Sequence, residues 1–134
     1  MDNLSIQLHD SQVESLHLER LDDQIPDSEE TMDFSLGVET RFPIDQELNH
    51  FLISFISELK LKEGFVLKLT YTSTFTANVA LNDEFQNSNF PKINAPAIAF
   101  PYFRAFISTF LLNAGFEPII LPSINFTKFK NKDE

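Results

Sequence analysis

The chain has 134 residues, 43% of them apolar and 22% charged, with a net charge of −10 and no cysteine. That length fits a single domain spanning residues 1–134. The acidic balance excludes a nucleic-acid partner, which needs clustered Lys and Arg to neutralise phosphates, and the lack of cysteine excludes disulfides and thiol chemistry.

The acids are concentrated early: residues 1–34 hold ten Asp or Glu and one cation, Arg20. The stretch "MDNLSIQLHD" has neither a basic start nor a long apolar core, so no secretory signal is expected there and a cytoplasmic location is expected. Leu4, Ile6, Leu8, Leu16 and Leu18 keep one parity, which fits either one long strand or two broken pieces. Residues Asp22–Glu30 read as an acidic loop.

The next segment, "MDFSLGVETRF", alternates cleanly. Met32, Phe34, Leu36, Val38 and Phe42 share one face and Asp33, Ser35, Glu39 and Arg41 the other. "HFLISFISELK" follows with Phe51, Ile53, Phe55 and Leu59 on one face. A short "KEG" turn ending at Gly64 leads into "FVLKLTYTSTFTANVAL", where Phe65, Leu67, Leu69, Tyr71, Phe75, Ala77 and Val79 alternate with Lys68 and a row of threonines. The short turn makes residues 50–79 an antiparallel hairpin.

Residues 82–96, "NDEFQNSNFPKINAP", read as a long loop without periodicity that carries Phe85 and Phe90. Such loops are uncommon and often functional. A helix follows, with Pro96 and Pro101 at its start and Asn113 and Gly115 at its end. The stretch Ala97–Ala114 is at the short end for a membrane span, and Arg104, Ser108 and Thr109 interrupt it, so a buried helix of a soluble protein is expected. Pro118 and Pro122 forbid a long helix afterwards, and the residues beyond Asn125 leave room for a turn or two. Lys128, Lys130 and Lys132 alternate in the tail and are expected to be solvated. The order predicts an α+β fold, a four-stranded antiparallel sheet with one long helix packed on it and a short C-terminal helical turn.

The helix is apolar nearly all round. Phe100, Phe103, Ile107, Phe110 and Leu111 form one stripe, yet Ala99, Tyr102, Ala105, Phe106 and Leu112 lie elsewhere on the cylinder. Helices of this kind are buried all round. Four large side chains left in water would forgo about 1.5–3 kcal/mol each, a sum comparable to the stability of a small domain, about 5–15 kcal/mol. Self-association is expected, with Tyr102, Phe103, Phe106, Ile107 and Phe110 at the interface.

The run Asn94–Phe126 resembles the SecB family of bacterial export chaperones. The residues that carry the resemblance are Pro96, Phe100-Pro101-Tyr102, Arg104, Gly115-Phe116, Pro118, Leu121-Pro122 and Asn125-Phe126. It implies a homotetramer, a dimer of dimers with the long helices sandwiched between sheets. It also implies an ATP-independent chaperone that binds unfolded polypeptides in long grooves, keeps them translocation-competent and delivers them to the SecA motor. The second helix of the family is usually longer than "NFTKFKNKDE" allows. Glu19 matches an acidic docking residue on the first strand, but the fourth strand has Lys68 and Leu69 where an acid is common, which counts against docking to SecA. Relatives also serve toxin–antitoxin systems.

The peptide groove is expected between the loop, the sheet edge and the segment after the helix, lined by Phe75, Phe85, Phe90, Phe116, Ile120, Leu121, Phe126 and Phe129. Of these Phe75 and Phe116 have the stronger claim to be core. Replacing Phe85 and Phe90 with Ser is expected to weaken client binding and leave the thermal midpoint nearly unchanged. No enzyme, cofactor or metal is expected: His9, His17 and His50 are scattered, and the three glycines form no phosphate loop. An apolar small-ligand carrier, a structural homo-oligomer and an antitoxin-type chaperone not linked to the translocase stay open as alternatives.

Overall fold

The computed structural model describes residues 4–21, 33–117 and 119–131. The expected loop at Asp22–Glu30, and the roles given to Met32, Pro118 and Lys132, fall outside the described residues. Strands β1 (Ile6–Arg20), β2 (Asp33–Arg41), β3 (His50–Lys60) and β4 (Phe65–Ala77) form one antiparallel sheet in the order β1-β4-β3-β2. Two helices follow, a single turn α1 (Asp83–Gln86) and the long α2 (Ala95–Asn113), the latter entered through a π-helical turn at Phe90–Asn94.

The first segment is one strand with two register shifts against β4, between Leu8 and Asp10 and between Val13 and Ser15. Each inserts a residue and so reverses the side-chain parity. Leu8 faces Phe75, Val13 faces Tyr71 and Leu16 faces Leu69, all on the helix side of the sheet. Two bulges therefore bring Val13 into the row formed by Ile6, Leu8, Leu16 and Leu18, although its sequence parity is opposite. The β3–β4 turn closes as expected. Leu61 N–H donates to Phe65 O at 2.8 Å, and Gly64 takes φ 87°, a left-handed conformation that a side chain would strain.

The helix-facing side of the two central strands is the core. Phe51, Ile53, Phe55 and Leu59 of β3 and Leu67, Leu69 and Phe75 of β4 are all buried. Phe51 stacks on its cross-strand partner Phe75 at 5.5 Å, and Phe55 meets Phe103 of α2 at 5.2 Å and Phe100 at 5.7 Å. Aromatic pairs at these separations add to plain area burial.

The opposite side of the sheet is polar and is held by a ladder crossing all four strands. Arg41 of β2 bonds Glu14 of β1, donates to Ser54 Oγ of β3 at 3.0 Å and reaches Thr72 Oγ1 of β4 at 3.5 Å. Thr72 donates to Glu14 Oε1 at 2.8 Å and shares a 2.7 Å hydrogen bond with Ser54. These bonds let Ser54 and Thr72 lie buried in the middle of a polar surface. The Arg41 and Thr72 hydrogen bonds, in that order, hold the Glu14 carboxyl below the usual glutamate range.

The helical stretch Phe90–Asn113 is long and apolar enough to cross a membrane by length and composition. In the fold it lies on the sheet, with Phe100, Phe103, Ile107 and Leu111 buried beneath it. At its start Pro96 stands in the first turn of α2, as expected, whereas Pro101 is internal to α2. A π-helical turn with Pro91 near its own start precedes α2, and the Ala95 N–H reaches back five residues to Phe90 O. Its end follows expectation. Gly115 takes φ 98°, with Gly115 N–H on Leu112 O at 3.2 Å and Phe116 N–H on Leu111 O at 2.9 Å, the paired bonds of a Schellman cap. After α2 the chain is extended, with a turn at Asn125–Lys128.

Candidate functional site

The segment expected to be a bare loop is structured at both ends. Asn82 caps α1 by accepting the Phe85 N–H at 2.9 Å, with Asp83 and Glu84 in the first turn. That cap turns Phe85 inward. Its ring is 3% exposed, meets Phe51 edge-on at 5.5 Å and stacks on Phe90 at 6.1 Å. Phe85 is thus a core residue and not a free groove residue, so replacing Phe85 and Phe90 together is expected to lower the thermal midpoint rather than leave it nearly unchanged. Phe90 is half-buried and covers Phe85 from outside.

The other expected groove residues separate into several places. Phe75 is wholly buried in the sheet core. Phe116 packs edge-on against Phe65 at 5.0 Å, at the opposite end of the sheet from α1. Leu121 is buried while its neighbour Ile120 is 89% exposed, because the extended backbone there points alternate side chains in and out. Both line a shallow depression of about 270 Å³ beside Pro101, Arg104 and Ser108. Ser108 donates to Ile119 O at 3.0 Å and Arg104 to Ser123 Oγ at 3.2 Å, which fixes this segment along α2.

Phe126 and Phe129 stand together, 5.4 Å apart. They wall a cleft of about 470 Å³ lying between the outer edge of β2, the π-helical turn and the tail. Its apolar side is Val38, Pro91, Ile93, Phe126 and Phe129, and its polar side is Thr40, Asn89, Lys92, Thr127 and Asn131. Three segments distant in sequence supply these residues, so no local motif announced Pro91, Ile93 or Asn131.

The five expected interface residues also divide. Phe103 and Ile107 have no exposed surface and belong to the sheet-facing stripe, because they fall one and two turns after Phe100 on the same side of the helix. Tyr102 is 55% exposed, and with Ile98, Ala105, Thr109 and Leu112 it forms an outward stripe on the opposite side. Phe106 and Phe110 flank that stripe half-buried, stacked on each other at 5.9 Å, with Phe106 on Tyr71 at 5.4 Å.

Glu19 is exposed on the polar side of the sheet and is hydrogen-bonded to His17 Nε2 at 2.8 Å. Among the described residues no group of His, Asp and Glu is placed to hold a metal ion.

The family of SecB, the preprotein translocase subunit, matches residues 10–133. A relative from Methanocaldococcus jannaschii, an uncharacterized protein, is 30% identical over 115 residues, covering 81% of this chain and 73% of its own. The protein-export protein SecB of Magnetococcus marinus is 28% identical over 127 residues, covering 85% and 78%. That of Neorickettsia sennetsu is 34% identical over 65 residues, covering 48% of this chain and 38% of its own. Among solved structures, the SecB-like chaperone Rv1957 of Mycobacterium tuberculosis, in complex with a ChAD peptide from the HigA1 antitoxin, superposes with a TM-score of 0.68 over 89% of this chain and 87% of its own. At 10% identity that likeness establishes the fold alone. A protein of unknown function from Streptococcus agalactiae superposes with a TM-score of 0.59 at 10% identity, over 91% of this chain and all of its own. The four-stranded antiparallel sheet, the long helix across it and the family match over nearly the whole length agree, and the chain belongs to the SecB family of chaperones, which are not enzymes.

Proposed function

We propose that this chain is an ATP-independent holdase that binds non-native polypeptides as extended segments in the cleft walled by Phe126, Phe129, Ile93 and Pro91. The observation that carries the reading is the mixed lining of that cleft beside the outer strand β2, on which no further strand of the sheet pairs among the described residues. An extended segment presents apolar side chains and backbone amides together, and this cleft meets the first with aromatic surface and the second with amide and hydroxyl groups. A carrier of small apolar ligands would need a more enclosed and more apolar chamber. The peptide bound to the M. tuberculosis relative supports a polypeptide as ligand.

The outward stripe of α2 is the surface through which copies associate. Ile98, Tyr102 and Leu112 are large apolar side chains exposed in one row, and a second copy that buried them would recover about 1.5–3 kcal/mol for each. Export clients and antitoxin-type clients both fit a cleft of this chemistry. A motor docking at Glu19 would have to break the Glu19–His17 pair.

The test is suppression of aggregation of an unrelated, chemically denatured protein, without nucleotide, by the wild type and by Ile93→Ser/Phe129→Ser. Wild-type suppression that the double variant loses, at an unchanged thermal midpoint, supports the reading. Equal suppression by both proteins removes the cleft from the mechanism.

A further inference from the structure

β2 is an outer strand of the sheet, and its free edge borders the cleft. In register Val38 sits opposite Phe55 of β3, yet both of its backbone groups are bonded on the other side. The Val38 N–H donates to Asn131 Oδ1 at 2.7 Å, and Asn131 Nδ2 donates to Val38 O at 3.0 Å. Val38 and Phe55 are thus a non-hydrogen-bonded pair within the sheet, and Val38 points its N–H and C=O outward. By the alternation of an antiparallel ladder, Leu36 and Thr40 point theirs outward as well. Among the described residues nothing pairs with them. The two bonds received by Val38 are those that one residue of an added antiparallel strand would supply. A primary carboxamide can supply both from a single group, since its C=O and one N–H lie side by side. Asn131 therefore stands, chemically, for one residue of a missing fifth strand. The neighbouring residue is Gly37, where an added Cβ would lie 3.6 Å from the same Asn131 oxygen, so the carboxamide sits directly against the strand backbone.

We propose that the outer edge of β2 at Val38 is a backbone-pairing site for an extended polypeptide segment, and that the Asn131 carboxamide is the chain's own occupant of that site, displaced when a segment binds. The inference rests on the polypeptide-binding reading above and adds its geometry. The bound segment continues the sheet beyond β2 and places alternate side chains on Phe126 and Phe129. The ligand class is a β-competent segment with free N–H groups on one edge. Proline or N-methylation at the pairing positions excludes a segment, whatever its hydrophobicity.

The experiment compares a fluorescently labelled apolar peptide of high β-propensity with a twin N-methylated at alternate residues, each titrated against the wild type and Asn131→Ala. The parent peptide is expected to bind Asn131→Ala about 3- to 10-fold more tightly than wild type, the scale of one or two net hydrogen bonds no longer competed for. The twin is expected to bind both proteins weakly and to gain nothing from the substitution. Equal binding of parent and twin, or an unchanged affinity in Asn131→Ala, overturns the inference while leaving the chaperone reading in place if aggregation is still suppressed. Failure of both proteins to bind the parent and to suppress aggregation overturns the chaperone reading, and the inference with it. The Asn131→Ala thermal midpoint, expected to stay close to wild type because the side chain is only half-buried and its two bonds are of small net worth, checks that a gain in affinity does not come from partial unfolding.

Discussion

Two stripes of one helix make the sharpest contrast in this molecule. On α2, Phe103, Ile107 and Leu111 are wholly buried against the sheet, while Ile98, Tyr102 and Leu112, interleaved with them in sequence, face outward. The residue types are nearly the same. What differs is angle: a step of about 100° per residue sends positions three and four apart to one side, and those one or two away to the other. Apolar composition marks a helix as buried, but only its placement on the sheet decides which stripe is core and which is left exposed.

The largest expected effect tests the inner stripe. Phe103 packs against Phe34, Phe55, Tyr71 and Phe100 with ring separations of 5.2–6.4 Å. Phe103→Ala should lower the unfolding free energy by about 3–5 kcal/mol in a denaturant titration. A loss below about 1 kcal/mol, typical of surface sites, would show that the stripe is not packed as described.

Phe85 and Phe90 come next. Phe85→Ser should reduce stability by about 3 kcal/mol or more, as for a large aromatic removed from a core, and Phe90→Ser by clearly less, because its ring is already half in solvent. Equal thermal midpoints for the two variants would contradict the inward turn of α1.

The outer stripe is tested by mass. Tyr102→Lys/Leu112→Lys should shift the species seen by light scattering at micromolar concentration to a single chain, with the circular dichroism of the fold retained. An assembled double variant would move the interface elsewhere, and a monomeric wild type would abolish it.

The smallest effect concerns the polar side of the sheet. Because Arg41 and Thr72 hold the Glu14 carboxyl below the usual glutamate range, its contribution is present at neutral pH and is lost as the pH falls through its lowered folded value. Glu14→Gln should therefore be less stable than wild type at neutral pH and converge with it in acid. The difference should be at most about 1 kcal/mol, since Glu14 and Arg41 are each more than two-fifths exposed. A difference that grew on acidification would assign the ladder another role.

Much of the fold was legible in the residues. Period-two alternation placed β2, β3 and β4, and Asn113 with Gly115 marked the end of α2 through a conformation that glycine adopts without strain. The two bulges of β1 were not legible, because parity is read by counting and an inserted residue reverses the count without a signature of its own. The turn α1 carried a readable signal, Asn82 followed by Asp83 and Glu84, but a four-residue helix has no periodicity to support it. Of the groove residues named from the sequence, Phe129 borders the cleft half-buried and Phe126 borders it while buried against Phe55 and Phe100, whereas Phe75 and Phe85 lie in the core away from it.

The sequence by itself determined the element order, the antiparallel sheet, the family, and that the long helix carries more apolar surface than one sheet can cover. These follow from local periodicity, turn chemistry and composition, which act along the chain. Only the tertiary structure decided that Asn131 lies on Val38, 93 positions away, and that the cleft beside them is walled by the π-helical turn and the tail. Those contacts join segments whose meeting is set by how the whole sheet and helix pack, and no local pattern encodes it.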